Sequence, residues 1–462
     1  MTSTHLCPLS NGGGCYLIKQ EFIGGVFIMK NKVKGFTLVE LLAVIVILAI
    51  ILVIAVPKIT DTIKNSKIAS FENSAKTIAA QAEKKKMENV ILDNTNPINC
   101  NDVVKLSNTD YISCSIYFDV DNNALVSLHG SGKFEGLQII NGTKDSAKAF
   151  DYKLPEYGIG TNFIKSLYED EKIRNLMGLE KDTTSDENIR YVGTNPSNYV
   201  KFNDETWRII GLFGNNIKLV RDDILTTYSF DNKTTAQGID TNYGTNDWSN
   251  SYLREFLNDY YYDGKTITCH SYSATSWISG LIGKHATIEC PDINKINGVA
   301  KNMIQNTTWN LGGTAYKTNS APYETYSVNE LYQKERGTEV YSGHATASTD
   351  YIGLIYPSDY GYASTDANCR QNLRSGLTYE NNTNVGTPTC KNNNWLYKSN
   401  TYRTISSFLS SNYGIFHVDN VGALGCTYSM FSYGVLPSLY LKSNVKIVSG
   451  NGTSGEPYIL EL

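Results

Sequence analysis

The stretch Lys34-Gly35-Phe36-Thr37-Leu38-Val39-Glu40-Leu41-Leu42-Ala43-Val44-Ile45-Val46-Ile47-Leu48-Ala49-Ile50-Ile51-Leu52-Val53-Ile54-Ala55-Val56-Pro57 decides how the rest of the chain is read. From Phe36 to Val56 about 20 residues are apolar but for one charge, enough for a helix to cross a ~30 Å hydrocarbon layer at 1.5 Å per residue. Lys30, Lys32 and Lys34 precede the run and no comparable basic cluster follows at once. The positive-inside rule therefore keeps the leader cytoplasmic and sends the remaining chain outward. Residues 1–28 fit no targeting pattern, so the start of translation is read as Met29, with 1–35 as a short leader. Glu40 is the anomaly, because a carboxylate in an apolar helix costs roughly 2.5–3.5 kcal/mol on insertion scales and is kept only with a partner. No cation lies within helical reach on its apolar side. An α-amino group released by a cut just before Phe36 of another copy would supply one.

The segment Lys34–Leu42 resembles the prepilin cleavage and methylation motif of type IV pilins and of type II secretion pseudopilins. The resemblance implies that a membrane prepilin peptidase cuts after Gly35 and methylates the new terminus at Phe36. It also implies that Glu40 pairs with the amino terminus of a neighbouring subunit during filament assembly, and that Pro57 marks the place where the helix bends. A proline inside a helix removes one backbone hydrogen bond and clashes with the preceding turn.

Beyond Pro57, apolar residues recur at Ile59, Ile63, Ala69, Phe71, Ala75, Ile78, Ala79 and Ala82, the spacing of an amphipathic helix. Residues 36–90 are thus expected to form one spine with a transmembrane half and an amphipathic half, and Lys84-Lys85-Lys86 reads as a solvated helix face. From Tyr111 to about Phe150 short alternating runs separated by Asp-Asn-Asn and Gly-Ser-Gly turns predict antiparallel strands, giving residues 91–150 as a small sheet domain on the spine, similar to the globular domain of pilins.

Net charge is −4 in 462 residues, which leaves no electrostatic footprint for nucleic acid. Of nine cysteines, six form local couples, Cys100 with Cys114, Cys269 with Cys290 and Cys369 with Cys390. None of these has zinc-site spacing, and an outward head favours disulfides, leaving Cys426 and the two cysteines before Met29 unpaired.

Residues 151–190 are charged and read as a linker. Tyr199–Phe213 followed by Ile217–Val220 predicts a three-strand meander, and Asp247–Asn258 a helix. Trp207-Arg208-Ile209-Ile210-Gly211 early and Gly434-Val435-Leu436-Pro437-Ser438-Leu439-Tyr440-Leu441 late resemble a surface module whose fold analogy is the C-type-lectin-like fold shared with formylglycine-generating enzymes, where first and last strands pair. Leu436 stands where related ends carry Arg before the Pro, and the copper-binding cysteine pair of those enzymes has no counterpart. The expected fold class is therefore α+β: spine helix, small antiparallel sheet, then a larger β-rich domain over 191–462.

No catalytic triad, phosphate loop or HExxH motif is recognisable, and Asp222-Asp223 reads as surface. An EF-type calcium loop at Asp119, Asp121 and Asn123 fails because Ala124 stands where a Gly is needed and Gly130 where the closing Glu is needed. No catalytic, cofactor or metal site is expected. Tyr360, Tyr362, Trp395 and Tyr397 are candidates for stacking on a surface glycan, whereas Trp207 and Trp248 are assigned to the core. The expected role is a minor or tip subunit of a type IV pilus-like filament with an adhesive head, without enzymatic activity. Expected partners are the prepilin peptidase, other pilin subunits, membrane lipid, and a glycan or other cell-surface ligand. The precursor is expected in the cytoplasmic membrane as a single-pass protein with its head outside, and the mature subunit in an extracellular filament. A pseudopilin of a secretion or DNA-uptake machine, or a membrane-anchored surface enzyme, are the alternatives.

Overall fold

The computed structural model describes residues 38–462 except 93–97, 106–108, 119–121, 152–153, 234, 237–238, 241–242, 274–283, 316–325 and 381–382. Two compact units are distinguished, Met1–Lys64 and Asn65–Leu462. Helix α1 runs Leu38–Ile91 and begins in the first unit. There Leu41, Leu42, Ile45, Ile47 and Leu48 are all more than half exposed. A helix that is apolar all round needs lipid or other protein about it. Among the described residues no helix is long and apolar enough to cross a membrane. Phe36, Thr37 and the side chains of Glu40, Ile50, 52–55 and Pro57 lie outside them.

In the second unit the amphipathic part of α1 packs as its spacing predicts from Phe71 onward, whereas Ile59, Ile63 and Ala69 of the same expected face are exposed. Phe71, Ala75, Ile78, Ala79 and Ala82 are fully buried against Val126, Leu128, Phe134 and Ile139. The sheet they meet is antiparallel, in the order β1 (Tyr111–Phe118), β2 (Ala124–Gly130), β3 (Leu137–Gly142) and β4 (Phe150–Asp151). Polar contacts fix the register of helix on sheet. The Glu83 carboxylate accepts from the Ala124 amide at 3.2 Å and from Lys144 at 2.7 Å, and Glu72 accepts from the Ala149 amide at 3.0 Å. Of the lysine run, Lys84 is exposed and Lys85 and Lys86 are half-buried, Lys86 lying over the Phe118 ring at 5.1 Å.

Of residues 151–190, expected as a linker, Asp151 ends β4 of the small sheet and the described residues from Leu154 onward instead belong to the large head. They supply β5 (Gly158–Ile159), helices α2 (Gly160–Glu169) and α3 (Glu171–Met177), β6 (Leu179–Lys181) and the start of β7 (Ile189–Tyr191). The charges that suggested a linker sit on the outer face of α2, while Phe163, Ile164 and Leu167 on its inner face are buried in the main core.

The meander forms as read, with β8 at Tyr199–Phe202, β9 at Glu205–Phe213 and β10 at Asn216–Arg221. It lies within a sheet of ten strands among the described residues, whose main path is Ile352–Leu354, Pro437–Tyr440, β10, β9, β8, Tyr458–Glu461, Lys446–Ser449 and β5, with β7 also pairing β9 and β6 pairing β7. The last strand joins β8 in parallel, Tyr458 opposite Val200. Both faces are covered, Trp207 and Ile209 entering one core cluster and Ile210 and Val220 another. Burial on both faces explains why Ile209-Ile210-Gly211-Leu212 is apolar without alternation. A second sheet runs Thr226–Ser229, Ser432–Val435, Tyr402–Ser407, Gly414–Val418 and Leu424–Tyr428. Asp247–Asn258 is helical in pieces, Trp248–Asn250 then Tyr252–Glu255, continued as a wider turn over Phe256–Tyr262.

The three cysteine couples are bonded in the pairs expected, with Cα–Cα distances of 6.1, 5.1 and 4.7 Å for Cys100–Cys114, Cys269–Cys290 and Cys369–Cys390. Cys426 is free, and burial pushes its thiol up to about 12, which makes it an unreactive packing residue.

Candidate functional site: the processing segment and a buried charge network

Gly35 and Phe36 lie outside the described residues. Glu40 and Pro57 fall within α1, their side chains likewise outside. What can be built from side chains is in the head, where three cations and three carboxylates meet in the core. Arg190, on β7, donates from Nε to Asp182 at 2.7 Å and from Nη1 to Asp359 at 2.9 Å. Lys218, on β10, reaches the other Asp359 oxygen at 2.6 Å. All four side chains are at most 1% exposed. The Tyr356 amide adds a third donor to Asp359, at 3.0 Å, because Asp359 stands in the first turn of the helix Pro357–Ala363. Burial alone would raise the Asp359 carboxyl. Lys218 and Arg190 outweigh it and hold the group far below the ordinary carboxylate range.

Asp182 shows the same balance. Burial opposes its charge, and Arg190 together with Thr184 and Asn188 restores it, so its carboxyl is lowered. The Asn188 amide passes the network on to the Tyr332 hydroxyl at 2.9 Å, which donates to Asp186 at 2.6 Å. Lys218 has no such surplus of partners. Its desolvation exceeds the attraction of Asp359 and draws its ammonium down to about 8. Aromatic faces complete the cage. Tyr356 lies 4.5 Å from Lys218, Phe213 and Tyr362 each lie 4.6 Å from Arg190, and Tyr332 lies 3.4 Å from Arg336.

Glu335, at the end of the helix Val328–Glu335, is 1% exposed, accepts from the Ser358 amide at 2.9 Å and meets Arg336 at 3.3 Å. Burial outweighs Arg336 and pushes it up to about 7. Between about 4.5 and 7 the folded protein thus holds a proton there that the unfolded chain has released, so this group makes stability fall as pH rises through that window. His417, which burial and Arg403 bring down to about 3, acts oppositely below its ordinary range. Comparison with Glu335→Gln separates the two. The urea midpoint of wild type is expected to drop relative to the variant by the equivalent of a few kcal/mol between pH 4.5 and 7, and parallel profiles would refute the assignment.

Three of the four expected glycan-stacking residues are corrected by their burial: Tyr360, Tyr362 and Trp395 are at most 4% exposed. The Tyr360 hydroxyl donates to the Gly422 carbonyl at 2.9 Å, and Trp395 donates to Tyr191 at 2.8 Å while covering the Arg208 guanidinium at 4.5 Å. Tyr397 is half-buried and donates to the Asn420 carbonyl. Trp207 and Trp248 are in the core. Asp223 is exposed, whereas Asp222 is half-buried and paired with Lys398 at 3.2 Å. Leu436 is fully buried among apolar neighbours, so a charge there would have no room in this packing.

Asp182, Arg190, Lys218 and Asp359 are turned inward and paired with one another. The network locks β7, β10 and two helices into one body. At the amino end the prokaryotic N-terminal methylation motif matches residues 30–56. This supports a type IV pilin-like protein. The matched residues take in Gly35, Phe36 and Glu40, imply processing by a prepilin peptidase and assembly with other pilins, and suggest a membrane-anchored precursor. No curated protein and no solved structure matches the chain.

Proposed function

We propose that the chain is a minor or tip subunit of a type IV pilus-like filament, with a head built for recognition and not for catalysis. One observation carries this reading: the methylation motif at residues 30–56 leads into a helix whose apolar residues stand exposed, and the same helix continues beneath a small sheet as a packed spine. The exposed apolar surface is what lipid covers before assembly and neighbouring subunits cover afterwards. A head running from residue 91 to 462 is bulky to repeat at every position of a thin filament, which favours a minor or tip place.

Glu40→Ala tests the assembly role. Leader removal is expected to proceed normally, because the scissile bond is untouched, while the fraction recovered in sheared filaments falls about tenfold or more, about 1.4 kcal/mol per factor of ten. Unchanged incorporation would refute the pairing role. Recovery of the subunit as the dominant filament protein would refute the minor place, and loss of protein export on deleting the gene would favour the pseudopilin reading.

A further inference from the structure

Two clefts, of about 420 and 430 Å³, are both lined by the half-buried Tyr168 of α2. The first holds Arg174 of α3, whose surroundings are unlike those of the buried arginines. Its guanidinium lies over the Tyr168 ring at 4.9 Å and its Nη1 donates to the Tyr168 carbonyl at 3.0 Å. Among the described residues no carboxylate pairs with it, and neither Nε nor Nη2 has a hydrogen-bond acceptor. The side chain is thus held flat and presents its remaining donors. Glu180, the one carboxylate among the described lining residues, is taken up by Arg370, so the cleft keeps a net positive charge. Around Arg174 stand Asn175, Asn195, Thr194 and Thr365, short side chains that both donate and accept. The Asn195 Oδ1 is shielded from solvent with no hydrogen-bond partner in the protein. Gly193, whose φ of +98° excludes ordinary side chains, keeps the floor low.

We propose that this cleft binds a saccharide bearing a carboxylate, such as a uronic or sialic acid unit of a surface glycan. This rests on the recognition role proposed for the head. The carboxylate takes the free edge of Arg174, for which a planar fork is the matching donor. Adjacent hydroxyls take Asn195, Thr194 and Asn175, whose amide and hydroxyl groups suit a ligand that is donor and acceptor at every carbon. The cleft is open and polar, which suits one unit of a chain more than an enclosed apolar molecule.

Detergent-solubilised full-length protein would be tested by biolayer interferometry on immobilised polygalacturonate and sialyllactose, with lactose and poly-glutamate as controls. The expected result is binding to at least one carboxylated glycan, none to lactose or poly-glutamate, and persistence in EDTA. Arg174→Gln is expected to weaken binding at least tenfold at unchanged melting temperature, and Arg174→Lys to restore only part, since it keeps the charge and loses the fork. Should Arg174→Gln misfold, Asn175→Trp, at an exposed lining position, is expected to block the cleft with the same loss. Equal binding to poly-glutamate, a preference for lactose, binding to neither carboxylated glycan, or full affinity in both variants overturns the proposal. A subunit absent from filaments that still binds through Arg174 overturns the filament role alone. One found in filaments without such binding overturns the cleft alone.

Discussion

Asp359→Ala is expected to destabilise the head by about 3–5 kcal/mol, the range seen when one member of a buried ion pair is removed, lowering the melting temperature by on the order of 10 °C. The size follows from what remains. Arg190 and Lys218 are both charged and both at most 1% exposed, and without Asp359 they have Asp182 alone between them. The Tyr356 amide loses its acceptor too. Asp359→Asn keeps the shape and one acceptor oxygen but removes the charge and turns the other oxygen into a donor facing a donor, so it is expected to cost most of what Asp359→Ala costs without opening a cavity. Adding Lys218→Met to Asp359→Asn removes one of the stranded cations and is expected to recover stability relative to Asp359→Asn alone. If thermal unfolding of Asp359→Ala stays within about 1 °C of wild type, or the second substitution makes matters worse, the network is not what locks β7 and β10 to the two helices.

That network shows where the sequence is readable and where it is not. The strands came through because alternation and turn residues are local: Tyr111–Phe118, Ala124–Gly130 and the meander from Tyr199 to Arg221 lie where the pattern puts them. Disulfide partners 14 and 21 residues apart were legible for the same reason. Arg190 and Lys218 also left a local sign, each a cation flanked on both sides by apolar or aromatic residues, Ile189 and Tyr191 for one and Ile217 and Leu219 for the other. Their partner lies 169 and 141 residues away, and no local pattern couples Asp359 to either. Local charge misled at residues 151–190. A stretch rich in Lys, Asp and Glu reads as a linker until one sees that its apolar residues Phe163, Ile164 and Leu167 share one helical face. The aromatics failed similarly, since Tyr and Trp serve surfaces and cores alike, and only neighbours distant in sequence decide which. Gly35, Phe36 and Glu40 are the reverse case: their meaning lies in a contiguous motif and needs no fold.

In cells lacking the prepilin peptidase, the subunit is expected to stay in the membrane fraction, retaining its leader up to Gly35, with no detectable copy in sheared filaments. With the peptidase present, intact mass and amino-terminal sequencing should give a chain beginning at N-methylated Phe36, lighter by the leader and carrying one added methyl group. A retained leader in wild-type cells would leave an ordinary membrane-anchored surface protein. The large effect follows from two charges that depend on each other. Without the cut there is no α-amino group at Phe36, the leader's Lys30, Lys32 and Lys34 hold the segment at the cytoplasmic face, and Glu40 has no cation to offset roughly 2.5–3.5 kcal/mol of burial. If cleavage and Glu40 act through one ion pair, as proposed, their losses do not add. Glu40→Ala in a strain with reduced peptidase should incorporate no worse than the more severe single defect. Multiplying defects would show that Glu40 works in assembly independently of the new terminus.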